Sequence, residues 1–149
     1  MLLLLFFERK RDEKMEKSIQ KEHTLYAIKG FLKEVENIQI GKLGNFSFSR
    51  GYYVYVGSAK RNMHARINRH IRVDKKQQWH LDYLRPYLQI EEIQTYSGEK
   101  GECQLFAELR ERNNGSIPAE GFGSSDCKCV SHLFYTEKNP VLSLTSSRN

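Results

Sequence analysis

Tyr52, Tyr53, Val54, Tyr55 and Val56 form an unbroken run of aromatic and β-branched side chains. Successive side chains of a strand point to opposite faces, so a strand apolar on both faces must be covered on both. This run therefore predicts a central strand with layers above and below it, and Gly57 ends it. Beyond Gly57 the period changes. Met63, Ile67 and Ile71 recur every four residues and form the buried ridge of a helix over residues 62–73. At 100° per residue Arg66 and His70 fall just to one side of that ridge, where they can face a cleft, while Arg69 and Arg72 point further out.

The remaining elements arrange themselves around this strand and helix. Residues 24–28 are short, apolar and β-prone, a strand. Residues 38–40 and 46–48 each alternate apolar and polar, and the Gly-Lys-Leu-Gly-Asn stretch between them has turn chemistry, so a hairpin is predicted. Residues 78–87 read as a second helix, with Trp79 and Tyr83 four apart and Pro86 limiting its end. Residues 90–96 read as a strand. A third helix runs over 102–112, with Leu105 and Leu109 on one face and Asn113-Asn114-Gly115 closing it. Residues 116–129 read as loops and 132–135 as a closing strand. The prediction is an α/β (α+β) domain: a small mixed or antiparallel sheet of three to five strands, flanked by helices. The domain occupies residues 23–142. Residues 1–22 precede it as a charged arm or helix, in which residues 8–22 carry six Lys or Arg against five Asp or Glu and only Met15 and Ile19 as a stripe. Residues 143–149 follow as a polar, disordered tail.

Charge is placed more informatively than its total suggests. Residues 58–76 contain Lys60, Arg61, Arg66, Arg69, Arg72, Lys75 and Lys76 against Asp74 alone. Seven minus one equals the chain's whole net charge of +6. A focused basic patch is the footprint of a phosphate-backbone binder, although a basic solvated helix face has the same composition. Three cysteines, an odd number, do not describe a secreted disulfide framework, and a reduced cytoplasmic setting is the expectation. The apolar start, residues 1–7, precedes its positive charges and so has the wrong order for a secretory leader. No stretch approaches the roughly 20 apolar residues of a membrane span.

Hydrolysis of a phosphodiester needs a positioned water, a proton acceptor, cationic groups for the developing charge and usually a divalent metal. The chain carries suitable groups in the order Tyr26, then Tyr55-Val56-Gly57-Ser58-Ala59-Lys60, then Arg66 and His70, then a helix opening with Glu102. In this order, over about residues 23–112, the chain resembles the GIY-YIG endonuclease superfamily. The first half-motif is reduced to Tyr26, with Thr24 where glycine is usual, and the predicted hairpin is inserted between the halves. With Trp79-His80-Leu81-Asp82-Tyr83-Leu84 and Phe122-Gly123-Ser124-Ser125-Asp126-Cys127, the chain is similar to one subgroup, a domain of unknown function found alone or attached to base-excision repair glycosylases.

The resemblance implies a metal-dependent endonuclease acting on DNA more readily than RNA, with repair as one setting for it. Tyr26 would position or deprotonate the water, and Tyr55 would contact the scissile phosphate or its water. Arg66 would clamp a phosphate oxygen, which a planar guanidinium does better than an ammonium. His70 would bond phosphate or assist Tyr26, and Gly57 would allow a tight turn and close backbone approach. Ser58, Lys60, Arg61, Arg69, Arg72 and His80 would line the nucleic acid. The family holds magnesium through the later glutamate of a Glu-Ala-x-x-x-Glu run, and Ala107 stands at that position here. Either Glu102 substitutes as the magnesium ligand, or the metal site is lost and the chain is a nucleic-acid-binding module of the same fold. Plainer roles exist for several of these residues: core aromatics for Tyr53 and Tyr55, packing for His80, complement to a helix dipole for Glu102. Cys127, Cys129 and His132, with Cys103 as a fourth ligand, admit a zinc site, and equally admit buried thiols around a tight loop braced by Asp126.

Overall fold

The structure is a computed structural model and describes residues 15–124 and 129–144. The central strand is where the sequence puts it. β5 (Gly51–Ser58) lies inside a five-stranded mixed sheet of order β1-β6-β2-β5-β7, with β1 (Glu16–Ser18), β2 (Leu25–Leu32), β6 (Leu88–Tyr96) and β7 (Leu133–Thr136). Only the β1–β6 pair is parallel. β3 (Glu36–Ile40) and β4 (Gly44–Phe48) form the predicted hairpin as a separate two-stranded sheet. The helices are α1 (Met63–Ile71), α2 (His80–Leu84), continued by a 3₁₀ turn over Arg85–Tyr87, and α3 (Glu102–Arg112).

Alternation along β2 and β5 sorts the core into two layers. Tyr26, Ile28, Tyr53 and Tyr55 face α1, α2 and the hairpin, packing with Met63, Ile67, Leu81, Leu84 and Phe48. Leu25, Ala27, Val54 and Val56 face α3, packing with Leu105, Phe106 and Leu109. A nine-residue helix such as α1 is marginal alone. Burial of Met63 and Ile67, at roughly 2 kcal/mol for each side chain withdrawn from water, holds it on the sheet.

Three expectations are corrected. Residues 15–22 are not a solvated helix or free arm: β1 pairs with β6, and Met15 and Ile19 pack on the core. The sequence signal was weak because β1 is exposed and is held by backbone pairing and by bonds from Gln20 and His23 to Thr95 Oγ1 (2.9 and 2.8 Å). Residues 8–14 lie outside the described residues. Second, the strand read as 24–28 runs on to Leu32, because Lys29, which looks like a strand end, is buried and paired with Glu92 at 2.9 Å and Asn139 Oδ1 at 2.7 Å. Third, the helix expected over 78–87 is only α2 and its 3₁₀ turn, so Gln78 and Trp79 lead into it in extended backbone. Of the predicted tail, Leu144 packs beside the α3 layer, and residues 145–149 lie outside the described residues.

The lead-in is extended because Asp82 captures it. Its fully buried carboxylate accepts the backbone N–H groups of Gln78 and Trp79, both at 2.8 Å. It also accepts Arg69 through two nitrogens at 3.1 and 3.0 Å, and Lys75 at 3.2 Å. Lys75 further donates to the carbonyls of Arg69 and His70, closing the C-terminus of α1. Burial alone would push the Asp82 carboxyl up, but the Arg69 bond, the two N–H groups and Lys75 outweigh it and hold it at about 2. Arg69, assigned by sequence to nucleic acid, is thereby an internal partner of Asp82.

The β2–β5 register places Tyr26 directly opposite Gly57. Gly57 is not among the glycines with positive φ, so its need is for space and not for a turn. A Cβ there would collide with the Tyr26 hydroxyl and sit 2.6 Å from its Cζ. Gly57→Ala is therefore expected to cost about 1–3 kcal/mol and to push Tyr26 off its partners, read as a drop in thermal midpoint. Asp82→Asn is expected to cost about 3–5 kcal/mol at neutral pH, because Arg69 and Lys75 lose their counter-charge. The Asp82 pKa is depressed on folding, so its contribution is complete above the unfolded value of 3.8 and is lost as pH falls towards about 2. Urea denaturation of both proteins should show the gap closing across that window.

Candidate active site

A cleft of about 350 Å³ opens where the C-terminal end of β5 meets α1, the lead-in to α2, the turn at Gly123 and the start of α3. Tyr26, Tyr55, Arg66 and Glu102 all line it, with Gly57, Ser58 and His80. The two phenol rings lie 6.5 Å apart between centroids, on neighbouring strands. Burial pushes both phenols well above their ordinary range, Arg66 pulls them back in part, and Glu102 pushes them up. Both are therefore neutral hydroxyls at physiological pH.

His70 is not at a boundary. It is 1% exposed and lies behind Tyr26, whose hydroxyl is 2.7 Å from His70 Nε2. Sequence periodicity misplaced it because the ring fills the space between Tyr26, Tyr55 and Trp79 instead of skirting the helix. It is not among the residues lining the cleft, which it touches through Tyr26. Burial, then Lys75, with smaller pushes from Arg66 and Arg69, takes its pKa down to about 3, so the ring is neutral. Its Nδ1 has no hydrogen-bond partner among the described residues. A buried N–H without an acceptor is the rarer kind of orphan, which favours the tautomer with the proton on Nε2, donated to Tyr26. The Tyr26 hydroxyl hydrogen is then left for the cleft.

Arg66 donates from Nη1 to the Ser58 carbonyl at 2.7 Å, and its guanidinium lies 4.8 Å over the Trp79 ring. Arg69 lies over the same ring at 4.4 Å. The backbone bond and the stack hold the guanidinium plane while leaving further N–H donors for a ligand. His80 Nδ1 accepts the Gly123 N–H at 2.7 Å, so a neutral His80 carries its proton on Nε2. Gly123 has φ +73°, and a Cβ there would meet the Tyr55 ring at 2.8 Å.

Glu102 is the first residue of α3, preceded by Gly101 with φ +82°. It is the one carboxylate among the lining residues. Ala107 is exposed and is not among them, and Glu108 pairs with Lys100 at 2.7 Å. Of the predicted nucleic-acid contacts, Lys60, Arg61 and Arg72 are exposed outside the cleft. Sequence reasoning missed Gln78, Trp79 and Gly123 as lining residues. The usable signal was the chain's only tryptophan following arginines spaced three apart, which can sandwich its ring.

Beside the cleft, Cys103 and Cys129 are joined in a disulfide, contrary to the expected free thiols. Cys103 Sγ is 3.7 Å from His132 Nε2, and His132 Nδ1 is 3.7 Å from Glu102 Oε2. Cys127 and Asp126 lie outside the described residues. Among the described residues, no helix is long and apolar enough to cross a membrane.

No curated protein and no solved structure matches this chain. A family model, Domain of unknown function DUF123, matches residues 25–148, a span that takes in every strand after β1, all three helices and every residue lining the cleft. By that match the chain belongs to the family described as Domain of unknown function DUF123.

Proposed function

We propose that this chain is a divalent-cation-dependent endonuclease of the GIY-YIG type that hydrolyses phosphodiester bonds in DNA. The observation that carries the reading is the shared wall: two neutral phenols, one oriented guanidinium and one carboxylate line a single cleft. Arg66 meets a non-bridging phosphate oxygen, and its stack on Trp79 keeps its plane fixed as charge develops. The Tyr26 hydroxyl, held by His70, orients the attacking water. Tyr26 does not act as an anion at rest. Burial raises the Tyr26 phenol and lowers His70, and His70 Nε2 already donates to the Tyr26 oxygen, so both oppose moving the phenol proton to His70. His80, through Nε2–H, and Ser58 supply further polar contacts on the cleft wall.

The chemistry of the wall fits magnesium in a limited way. Glu102 is a hard oxygen donor on the open face, and Mg²⁺ keeps most of its waters and binds through one or two carboxylates together with substrate phosphate. When bound, the ion would neutralise phosphate charge. A cytoplasmic role in DNA maintenance belongs to the same proposal.

A second reading, a binding module without turnover, has its own support. Ala107 stands where a metal-binding glutamate is usual in the resembled superfamily, and Glu102 is also directed at His132. The two readings separate in one plasmid assay with magnesium. Wild type is expected to nick, while Arg66→Ala and Tyr26→Phe lose about 10²-fold or more. Equal residual activity in all three rejects the nuclease reading. Binding that collapses with salt, without any cleavage, selects the module.

Because His70 is neutral throughout, the pH dependence of cleavage should carry no break from it between pH about 5.5 and 7.5. His70→Asn is expected to lower kcat/KM without moving the profile along the pH axis. A wild-type break near pH 6.5 that vanishes in this variant would show that His70 titrates in the reaction.

A further inference from the structure

Glu102 and Cys103 open α3 side by side, and both approach His132, Glu102 at Nδ1 and Cys103 at Nε2. Glu102 lines the cleft, while Cys103 meets the segment before β7. There Cys103 Sγ, Cys129 Sγ and an imidazole nitrogen of His132 lie within 4.8 Å of one another. We propose that in the dithiol state this cluster is a zinc site, with Cys103 and Cys129 as thiolates and His132 Nε2 as ligands, and that the metal-bound and disulfide forms are alternative states of one redox-responsive centre. The proposal stands independently of the nuclease reading.

The donors have the right chemistry and spacing. Two thiolates and an imidazole are a soft set that suits Zn²⁺ and disfavours Mg²⁺. Zn–S and Zn–N bonds of tetrahedral zinc place sulfur and nitrogen about 3.6 Å apart. Cys103 Sγ and His132 Nε2 are 3.7 Å apart. The two cysteines have Cα atoms 5.9 Å apart, within the span of a disulfide and short enough to be bridged through a metal. Zinc needs the sulfurs about 3.8 Å apart, which side-chain rotation supplies. These three ligands leave one tetrahedral position for a fourth.

His132 is built for the role. Its side chain is 3% exposed, and its backbone is fixed on both sides: its N–H donates to Phe122 O at 2.8 Å and its carbonyl accepts Val56 N–H at 2.9 Å. With Nε2 on the metal, Nδ1 carries the proton and faces the Glu102 carboxylate at 3.7 Å. Metal-bound histidines commonly present their other nitrogen to a carboxylate in this way, fixing the ring. The centre thereby reaches the cleft wall through Glu102.

The redox step balances with a peroxide as oxidant. Two zinc thiolates, one hydrogen peroxide and two protons give one disulfide, free Zn²⁺ and two waters. Each sulfur loses one electron, and the peroxide O–O bond breaks. A dithiol reductant reverses it by thiol–disulfide exchange, and rebinding of Zn²⁺ to the thiols releases two protons.

The full chain, reduced and equilibrated with excess Zn²⁺ then desalted, is expected to hold about one zinc per chain by elemental analysis. Hydrogen peroxide should release it into a chromogenic chelator in step with the loss of two titratable thiols. Cys103→Ser, Cys129→Ser and His132→Gln should each lower the zinc retained at least about tenfold. Since these variants could misfold, Co²⁺ substitution of the wild-type chain gives an independent readout. A sulfur-to-cobalt charge-transfer band in the near ultraviolet, with visible bands of tetrahedral intensity, is expected. Zinc below about a tenth per chain after reconstitution overturns the proposal, as does a cobalt spectrum without the sulfur band. Zinc retained undiminished by folded cysteine variants overturns it equally.

Discussion

The buried carboxylate of Asp82 is the constraint on which the cleft depends. It ties together three segments: the last turn of α1, the loop after it and the lead-in to α2. An unpaired carboxylate there would be untenable, and two cations alone would repel. Together with two backbone N–H groups they form a closed set, in which each charge is acceptable because the others are present. Trp79 is placed by this set, since its own N–H is one of the bonds. Arg66 is then placed by Trp79 and by the Ser58 carbonyl. The guanidinium at the cleft is thus oriented from two residues away by a group that never touches a ligand.

The same arrangement changes the meaning of the basic segment. Seven cations stand over residues 58–76, but Arg69 and Lys75 face Asp82, and Arg66 is stacked on an aromatic ring. What remains exposed, notably Lys60, Arg61 and Arg72, lies around the cleft rather than in it. The positive field around the cleft comes from these peripheral charges, while the cleft wall itself carries one oriented arginine. The phenols add no charge, because desolvation keeps Tyr26 and Tyr55 protonated. Among the described residues, the cleft therefore presents neutral donors with a single cation and a single carboxylate.

Much of this was legible in sequence where side-chain pattern and backbone state coincide. The central strand, the hairpin, the ridge of α1 and the bounds of α3 all follow from period, and the five-stranded sheet lies within the expected range. Residues held by partners distant in sequence were not legible. Lys29 reads as a strand end until Glu92 and Asn139 are seen beside it. β1 has no pattern, because an exposed edge strand is held by its backbone. His70 was placed by helical angle, which gives direction but not depth. Sequence alone does not say whether Glu102 or the helix further on reaches the cleft wall; the path of α3 brings Glu102 there and leaves Ala107 exposed away from it.

The start of α3 then becomes the junction of two chemistries. A helix N-terminus favours anions, and both Glu102 and a Cys103 thiolate gain from that position. They compete for a common neighbour: His132 offers one nitrogen towards Glu102 and the other towards Cys103. An imidazole bridging the two couples them without any backbone movement. When Nε2 is engaged by a metal, Nδ1 must be the donor, and the Glu102 carboxylate is drawn towards it. In the disulfide form His132 stands between Cys103 Sγ and Glu102 Oε2, with one ring nitrogen 3.7 Å from each, so the acid on the cleft wall and the sulfur on the adjacent residue share one imidazole.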